Sequence, residues 1–260
     1  MNTKTLGTKE WSEYSFNFST GCTWGCEYCY AKGMAKRFKQ ISNEKDWVIM
    51  RSRPRPSFSP NKKVEGVIMT PTSHDLTKDN LHLAKKYYLQ LLEAGNKLLI
   101  VSKPQKNIIL ELSDHLENFK NTDQLTWRFS ITTMDENLKK IFEPKAPGIS
   151  HRFEVLEEMF ERGWNTSLSI EPFLDDSVFI ILAMGLPLVR EKIWIGIMNK
   201  QYCPKDLWEK YLTAIYQPNY LFSLKKLIEI RYDMSKIMFK DNFINNLPKE
   251  FKRSKTEISV

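Results

Sequence analysis

Three cysteines stand close together early in the chain: Cys22, Cys26 and Cys29, within Ser19-Thr-Gly-Cys-Thr-Trp-Gly-Cys-Glu-Tyr-Cys-Tyr-Ala31. The spacing C-x3-C-x2-C puts three thiolates on one tight loop. An ordinary cubane iron–sulfur cluster is held by four cysteines. Three leave one iron without a protein ligand, and such an iron can bind a small molecule. A structural zinc site wants four ligands, usually paired C-x2-C units or cysteines with histidines. Here the only other cysteine, Cys203, lies far along the chain, and no histidine falls within the loop. Disulfides belong to oxidising compartments, and no apolar leader segment directs the chain to one. The expectation is a cytoplasmic protein whose reduced thiols serve a metal or catalysis.

Charge is the second chemical signal. The 260 residues carry a formal net charge of +8. Residues 32–63 alone hold ten basic residues (Lys32, Lys36, Arg37, Lys39, Lys45, Arg51, Arg53, Arg55, Lys62 and Lys63) against Glu44 and Asp46, an excess equal to that of the whole chain. The stretch starts directly after the cysteine loop and contains Arg51-Ser-Arg-Pro-Arg-Pro-Ser-Phe-Ser-Pro60, whose prolines exclude regular helix or a central strand. One reading is a surface that tracks phosphates, with Trp47 and Phe58 available for base stacking. The other is a solvated basic loop. Apolar residues make up 42% of the chain, enough for a sizeable core, and no run approaches a membrane span.

The elements that must position these groups follow from periodicity. Runs with β character recur at residues 14–18, 65–70, 97–101, 127–132, 167–171 and 192–198. Between most of them lie helix-period segments. Leu81, Ala84, Tyr88, Leu91 and Leu92 form one apolar stripe that Gly95 can terminate. Ser150 can cap another, carrying Phe153, Leu156, Met159 and Phe160 and ended by Gly163. Six alternations of strand and helix predict an α/β fold, a partial (β/α)6-type TIM-like barrel over residues 1–204, with active groups at the carboxyl ends of the strands. Residues 205–260 are expected as a helical C-terminal extension packed on that core. Asp206–Tyr216 and Leu221–Phe239 read as its helices, and the last dozen residues as a flexible tail.

The cysteine loop, with aromatic Tyr28 before its last cysteine, resembles that of the radical S-adenosylmethionine (radical SAM) superfamily. Further segments resemble its spore photoproduct lyase-like branch: Cys29-Tyr-Ala31, Met69-Thr-Pro-Thr-Ser-His-Asp75, Leu99-Ile-Val-Ser-Lys103, Phe129-Ser-Ile-Thr-Thr133, Phe142-Glu-Pro-Lys-Ala-Pro147, Arg152 and Ser167-Leu-Ser-Ile-Glu-Pro172. Together they cover roughly residues 15–200. The resemblance implies a [4Fe-4S] cluster on Cys22, Cys26 and Cys29, whose open iron chelates S-adenosyl-L-methionine. Reductive cleavage then gives a 5′-deoxyadenosyl radical that abstracts hydrogen from a substrate. It also implies an electron donor such as flavodoxin or ferredoxin.

By the same resemblance, the turn of Thr70, Thr72 and Ser73 meets the amino group of the cofactor. Lys103 and Ser130 contact its carboxylate and ribose, and Tyr28 lies against the adenine. Ile197 and Met198 offer an apolar wall, or simply core packing. Glu171 binds ribose or substrate, or else forms an ion pair with Arg152 or Lys103. His74 and Asp75 are placed at the mouth, His74 as a proton carrier or an exposed loop residue.

Spore photoproduct lyases carry a cysteine hydrogen donor on the second-strand turn, where this chain reads Thr70-Pro-Thr72. Cys203, in a later loop, is the candidate for that catalytic role, or a free thiol without one. The leading functional reading is radical chemistry on a nucleic acid or nucleotide-like substrate, bound through residues 32–63. Alternatives are the same chemistry on a peptide or small metabolite, and an iron–sulfur protein that does not turn over the cofactor.

Overall fold

Gly95 and Gly163 do stop the helices whose stripes run up to them. In this computed structural model, which describes residues 7–251, α2 (Leu81–Glu93) and α5 (Ile149–Glu161) both end in the same way. At Gly163 φ is +85°. Its N–H bonds to Phe160 O and that of Trp164 to Met159 O, the paired bonds of a left-handed helix cap. The start of α5 differs from expectation. Its N-cap is Gly148, and Ser150 lies inside the first turn. The Glu136 carboxylate accepts the free Ile149 N–H at 2.5 Å and takes the part assigned to a capping serine.

The strands are β1 (Tyr14–Ser15), β2 (Ser19–Thr20), β3 (Arg51–Ser52), β4 (Val67–Thr70), β5 (Lys97–Ser102), β6 (Leu125–Ser130), β7 (Thr166–Ile170), β8 (Ile193–Ile195) and β9 (Ile237–Phe239). Seven of them form one parallel sheet in the order β1-β4-β5-β6-β7-β8-β9. Each strand lies beside the next one in sequence. Right-handed crossovers in such an order place every helix on one face, and the sheet curls with the other face inside. The result is the expected partial TIM-like barrel. The remaining helices are α1 (Tyr30–Arg37), α3 (Lys106–His115), α4 (Glu136–Phe142), α6 (Val178–Gly185), α7 (Lys205–Leu207), α8 (Pro218–Arg231) and α9 (Asp241–Ile244).

Alternation along the strands separates the two faces. Trp127, Phe129, Leu168, Ile170, Ile193 and Ile195 join the helices in the main apolar core. On the concave face, Arg128 pairs in register with Ser167, and Ser130 with Ser169 and then Trp194. Over β6 and β7 the interior of the curl is therefore polar, with one guanidinium held between indoles: Arg128 Cζ lies 4.7 Å from the Trp11 ring and 5.5 Å from that of Trp194.

The C-terminal extension departs from a purely helical reading. Leu221–Phe239 is not one helix: α8 ends at Arg231, and the chain then turns into β9. Asp233 breaks the helix by binding Ser235 with both carboxylate oxygens, to the N–H at 2.8 Å and the hydroxyl at 2.7 Å. Ile237 then pairs with Ile193 as a seventh strand. Over 206–216 the expected helix is a short α7 followed by a π-turn, Trp208–Leu212. The tail expected at the end of the chain falls mostly on residues 252–260, outside those described. No helix among the described residues is long and apolar enough to cross a membrane.

Candidate active site

The cysteine loop joins β2 to α1 and is fastened by backbone bonds on both sides. Cys22 N–H donates to Trp47 O at 2.8 Å, Glu27 N–H to Phe142 O at 2.9 Å, and Lys145 N–H to Trp24 O at 3.3 Å. Gly21 makes the approach of residues 47–49 possible. Its φ is +89°, and a Cβ there would stand 2.4 Å from Ile49 O. Cys29 serves as N-cap of α1, its Sγ accepting from Lys32 N at 3.4 Å. Cys22 and Cys26 are buried. Burial pushes the Cys26 thiol up to about 12, although Lys103 pulls the other way.

Beneath the loop lies a residue that sequence reasoning did not assign. Glu143, just past α4, has no exposed side-chain surface. Arg152 of α5, equally buried, binds it at 2.5 Å; Lys103, beyond the end of β5, lies 3.7 Å away; the Thr132 hydroxyl donates to it at 3.2 Å. The Tyr28 hydroxyl also donates to it. Burial alone would push this carboxyl up. Arg152, Lys103 and the tyrosine together outweigh that and hold it down to about 2. For Lys103 burial works against the charge, but Cys26 and Glu143 prevail and raise its pKa. One buried carboxylate thus ties the cysteine loop, through Tyr28, to strand ends and two helices. The sequence carried it inside the Phe142–Pro147 segment of the resemblance, with no role attached to it.

Asp75 and Asn17 order the neighbouring turn. Buried Asp75 accepts from Ser102 Oγ at 2.5 Å and from Lys103 N at 3.0 Å, fixing the backbone from which Lys103 projects. Asn17 Oδ1 accepts the N–H groups of Thr72 and Ser73 at 2.8 and 3.0 Å, and its amide donates to Thr72 Oγ1 at 2.7 Å. The Tyr30 hydroxyl donates to Thr72 O. Thr70 faces the other way, donating to Tyr88 of α2 at 3.1 Å.

The other predicted residues are placed as follows. Tyr28 reaches toward Glu143, with Lys103 Nζ 5.7 Å from its ring centre. Ser130 is buried on the concave face at the end of β6, and its carbonyl accepts from Arg152 at 3.1 Å. Glu171 pairs with neither Arg152 nor Lys103. Its partner is Lys240, at 2.9 Å, from the segment between β9 and α9. Met198 is buried, its N–H on the Tyr216 oxygen at 3.2 Å. Cys203 is half-buried, and burial with the charges of Asp206 and Glu27 pushes its thiol up to about 11. His74 is not an exposed loop residue: it is 8% exposed, packs edge-on against Phe18 at 4.6 Å, and neither ring nitrogen has a partner among the described residues.

Among the described residues no three His, Cys, Asp or Glu side chains close on a point suited to a single metal ion. The donor set suits a cluster instead. It is thiol-only, carried by one immobilised loop, with a lysine whose field reaches Cys26 and Cys29. A cubane bearing three thiolates is anionic and spreads its ligands over separate corners. A further hollow of about 330 Å³, lined by Lys120, Asp123, Gly163 and Arg190, lies at the opposite, amino-terminal ends of the strands.

No family model matches the chain. It is 28% identical over 228 residues to an uncharacterized protein of Acidianus two-tailed virus, covering 78% of this chain and 74% of that one. An uncharacterized protein of Methanocaldococcus jannaschii is 27% identical over 178 residues, 67% of this chain and 65% of its own length. Among solved structures, a cysteine-to-alanine mutant of spore photoproduct lyase with dinucleoside spore photoproduct aligns with a TM-score of 0.55 at 15% identity, over 91% of this chain and 79% of that one. Streptococcus suis SuiB aligns at 0.52 and 12% identity over 89% of this chain, which spans about half of SuiB (49%). The chain therefore has the fold of these two proteins, the fold that the resemblance of its motifs implied.

Proposed function

We infer that this chain is a radical SAM enzyme, and that Cys22, Cys26 and Cys29 hold a four-iron, four-sulfur cluster with one iron left for S-adenosylmethionine. The observation that carries this reading is one juxtaposition. Three thiols share a fastened loop, two of them, Cys26 and Cys29, within the field of Lys103, which projects beyond the end of β5 in a half-barrel with this fold. When bound, such a cluster supplies the electron that cleaves S-adenosylmethionine to methionine and a 5′-deoxyadenosyl radical, which abstracts hydrogen from a substrate.

The chain's own residues bind, orient and shield. Lys103 has three donors, and its contact with Glu143 leaves capacity for the cofactor carboxylate. The Thr72–Ser73 turn, held by Asn17 and Tyr30, offers its oxygens to the amino group. Ser130 presents its hydroxyl to the ribose from the concave face. Glu171 and Met198 stand further around the rim, toward ribose and adenine. Tyr28, anchored on Glu143, keeps the loop closed over the site. Cys203 serves as the hydrogen donor from its later loop, and reduction comes from a flavodoxin- or ferredoxin-type partner. The basic segment favours nucleic acid or a nucleotide as substrate, over a peptide or small metabolite.

Anaerobic reconstitution tests the reading. Wild type is expected to take up about four iron and four sulfide per chain and, once reduced, to release methionine and 5′-deoxyadenosine. Cys26→Ala is expected to lose the chromophore. Lys103→Ala should keep it and bind S-adenosylmethionine more weakly. Stoichiometric zinc without a brown chromophore would overturn the cluster, and a loaded cluster that leaves the cofactor intact would favour the non-catalytic alternative.

A further inference from the structure

Beside the cysteine loop, on the flank formed by α1, the β2–β3 ribbon and the Thr72–Ser73 turn, lies a cleft of about 240 Å³. This is smaller than the roughly 300–1,000 Å³ of a drug-sized site and has room for one planar ring system. Its walls include Tyr30, Phe38, Trp47 and Arg53. Tyr30 and Phe38 are 42% and 60% exposed, so part of each side chain is open to solvent at the cleft they line. Trp47 is 2% exposed, and its indole N–H is buried without a partner among the described residues. Arg53 is held in place by Ser19 O at 3.1 Å and Ser73 Oγ at 3.4 Å.

The surroundings are cationic and uncompensated. Lys32 and Lys36 have carboxylate partners, Glu27 and Glu44. Arg37, Lys39, Arg51, Arg53 and Arg55 form no ion pair with the described residues. Arg37 and Lys39 flank Phe38 in sequence, and Arg51 pairs in register with Thr20 on the cleft wall. Exposed aromatic rings with unpaired cations beside them are the two components of sequence-tolerant single-strand recognition: stacking for bases and cations for phosphates.

We propose that this cleft receives one unpaired base of a single-stranded nucleic acid, stacked against Phe38 and Tyr30, with flanking phosphates on Arg37, Lys39 and Arg51. The inference rests on the nucleic-acid reading above and gives it a place. Tyr30 follows Cys29 directly, and Thr72 and Ser73 belong both to the cleft and to the turn assigned to the cofactor. A base seated here lies beside the radical site rather than on a remote basic surface.

Fluorescence anisotropy on the whole chain tests this, with a labelled eight-nucleotide strand in deoxy and ribo forms and an abasic deoxyribose-phosphate strand of equal length. Wild type is expected to bind a base-bearing strand at least tenfold more tightly than the abasic one. Phe38→Ala, at an exposed helix end where folding is not at stake, should weaken binding of the base-bearing strand about 5- to 100-fold and leave the abasic strand unaffected. Arg51→Gln should weaken both and flatten the salt slope by about 0.7. Equal affinity for the two kinds of strand, no binding of either, or an indifferent Phe38→Ala would overturn the proposal. Binding of the base-bearing strand by a protein that fails to cleave S-adenosylmethionine would support the cleft and count against the enzymatic reading it rests on.

Discussion

A carboxylate shut away from water survives only where cations and hydroxyls replace its solvation. Glu143 has Arg152, Lys103, Tyr28 and Thr132 for that purpose. Replacing a buried pair by apolar groups is often neutral, whereas removing one partner strands the other. Glu143→Gln keeps the shape and an acceptor but leaves two buried cations facing Cys26 without their counter-charge. It is expected to cost about 3 kcal/mol in urea unfolding of the cluster-free protein. It should also release Tyr28, which intrinsic tyrosine fluorescence or solvent perturbation would register. A loss below about 0.5 kcal/mol would mean that the carboxylate's charge contributes little to holding the loop.

At the scale of elements, the helices are delimited by backbone chemistry more than by their stripes. Gly163 isolates that contribution. Its φ is +85°, and a Cβ built there meets nothing within 4 Å. Gly163→Ala therefore changes no packing and tests only the left-handed backbone, at about 1–2 kcal/mol for a residue with a Cβ. Equilibrium denaturation should show a lower midpoint at an unchanged m-value. The same accounting explains where α8 stops: the Asp233–Ser235 turn offers the backbone an alternative to another helical turn, and β-branched Ile237 takes a place on the sheet edge beside β8.

For the whole molecule, the seam between the sheet's two edges is ionic. Lys240, 2% exposed beside β9, reaches Glu171 at 2.9 Å and Gly7 O at 3.1 Å, with the Trp11 ring centre 4.0 Å away. Asp241 N–H donates to Glu10 at 2.8 Å. Acid bears on the stability of this whole through His74, which burial and the nearby Arg53 charge hold down at about 3, against an ordinary 6.5. The folded ring stays neutral while the unfolded chain takes up a proton as pH falls below about 6.5. Stability should then fall by up to about 1.4 kcal/mol per pH unit between about 6.5 and 3. His74→Leu should remove that slope: the difference in unfolding free energy between the two proteins ought to shift in the variant's favour as pH is lowered from 7 to 4.5. Parallel curves would show that the histidine titrates as it does in the unfolded chain.

The sequence by itself determined the features that depend on near neighbours. The cysteine spacing put three thiols on one loop, the period of apolar residues specified α2, α5 and the six strands from β1 to β8 that continue the sheet, and two glycines marked helix ends. Each of these is a relation among residues a few positions apart, so local backbone geometry suffices to express it. The tertiary structure alone decided which charge meets which. Glu143 draws together Tyr28, Lys103 and Arg152, while Glu171 turns to Lys240 rather than to Arg152 or Lys103. The crossovers choose among buried ions far apart in sequence, because a buried charge takes whichever opposite charge the curled sheet brings within reach. The burial of His74 was likewise decided by tertiary structure, since a loop histidine is exposed or buried according to what the neighbouring strands leave above it.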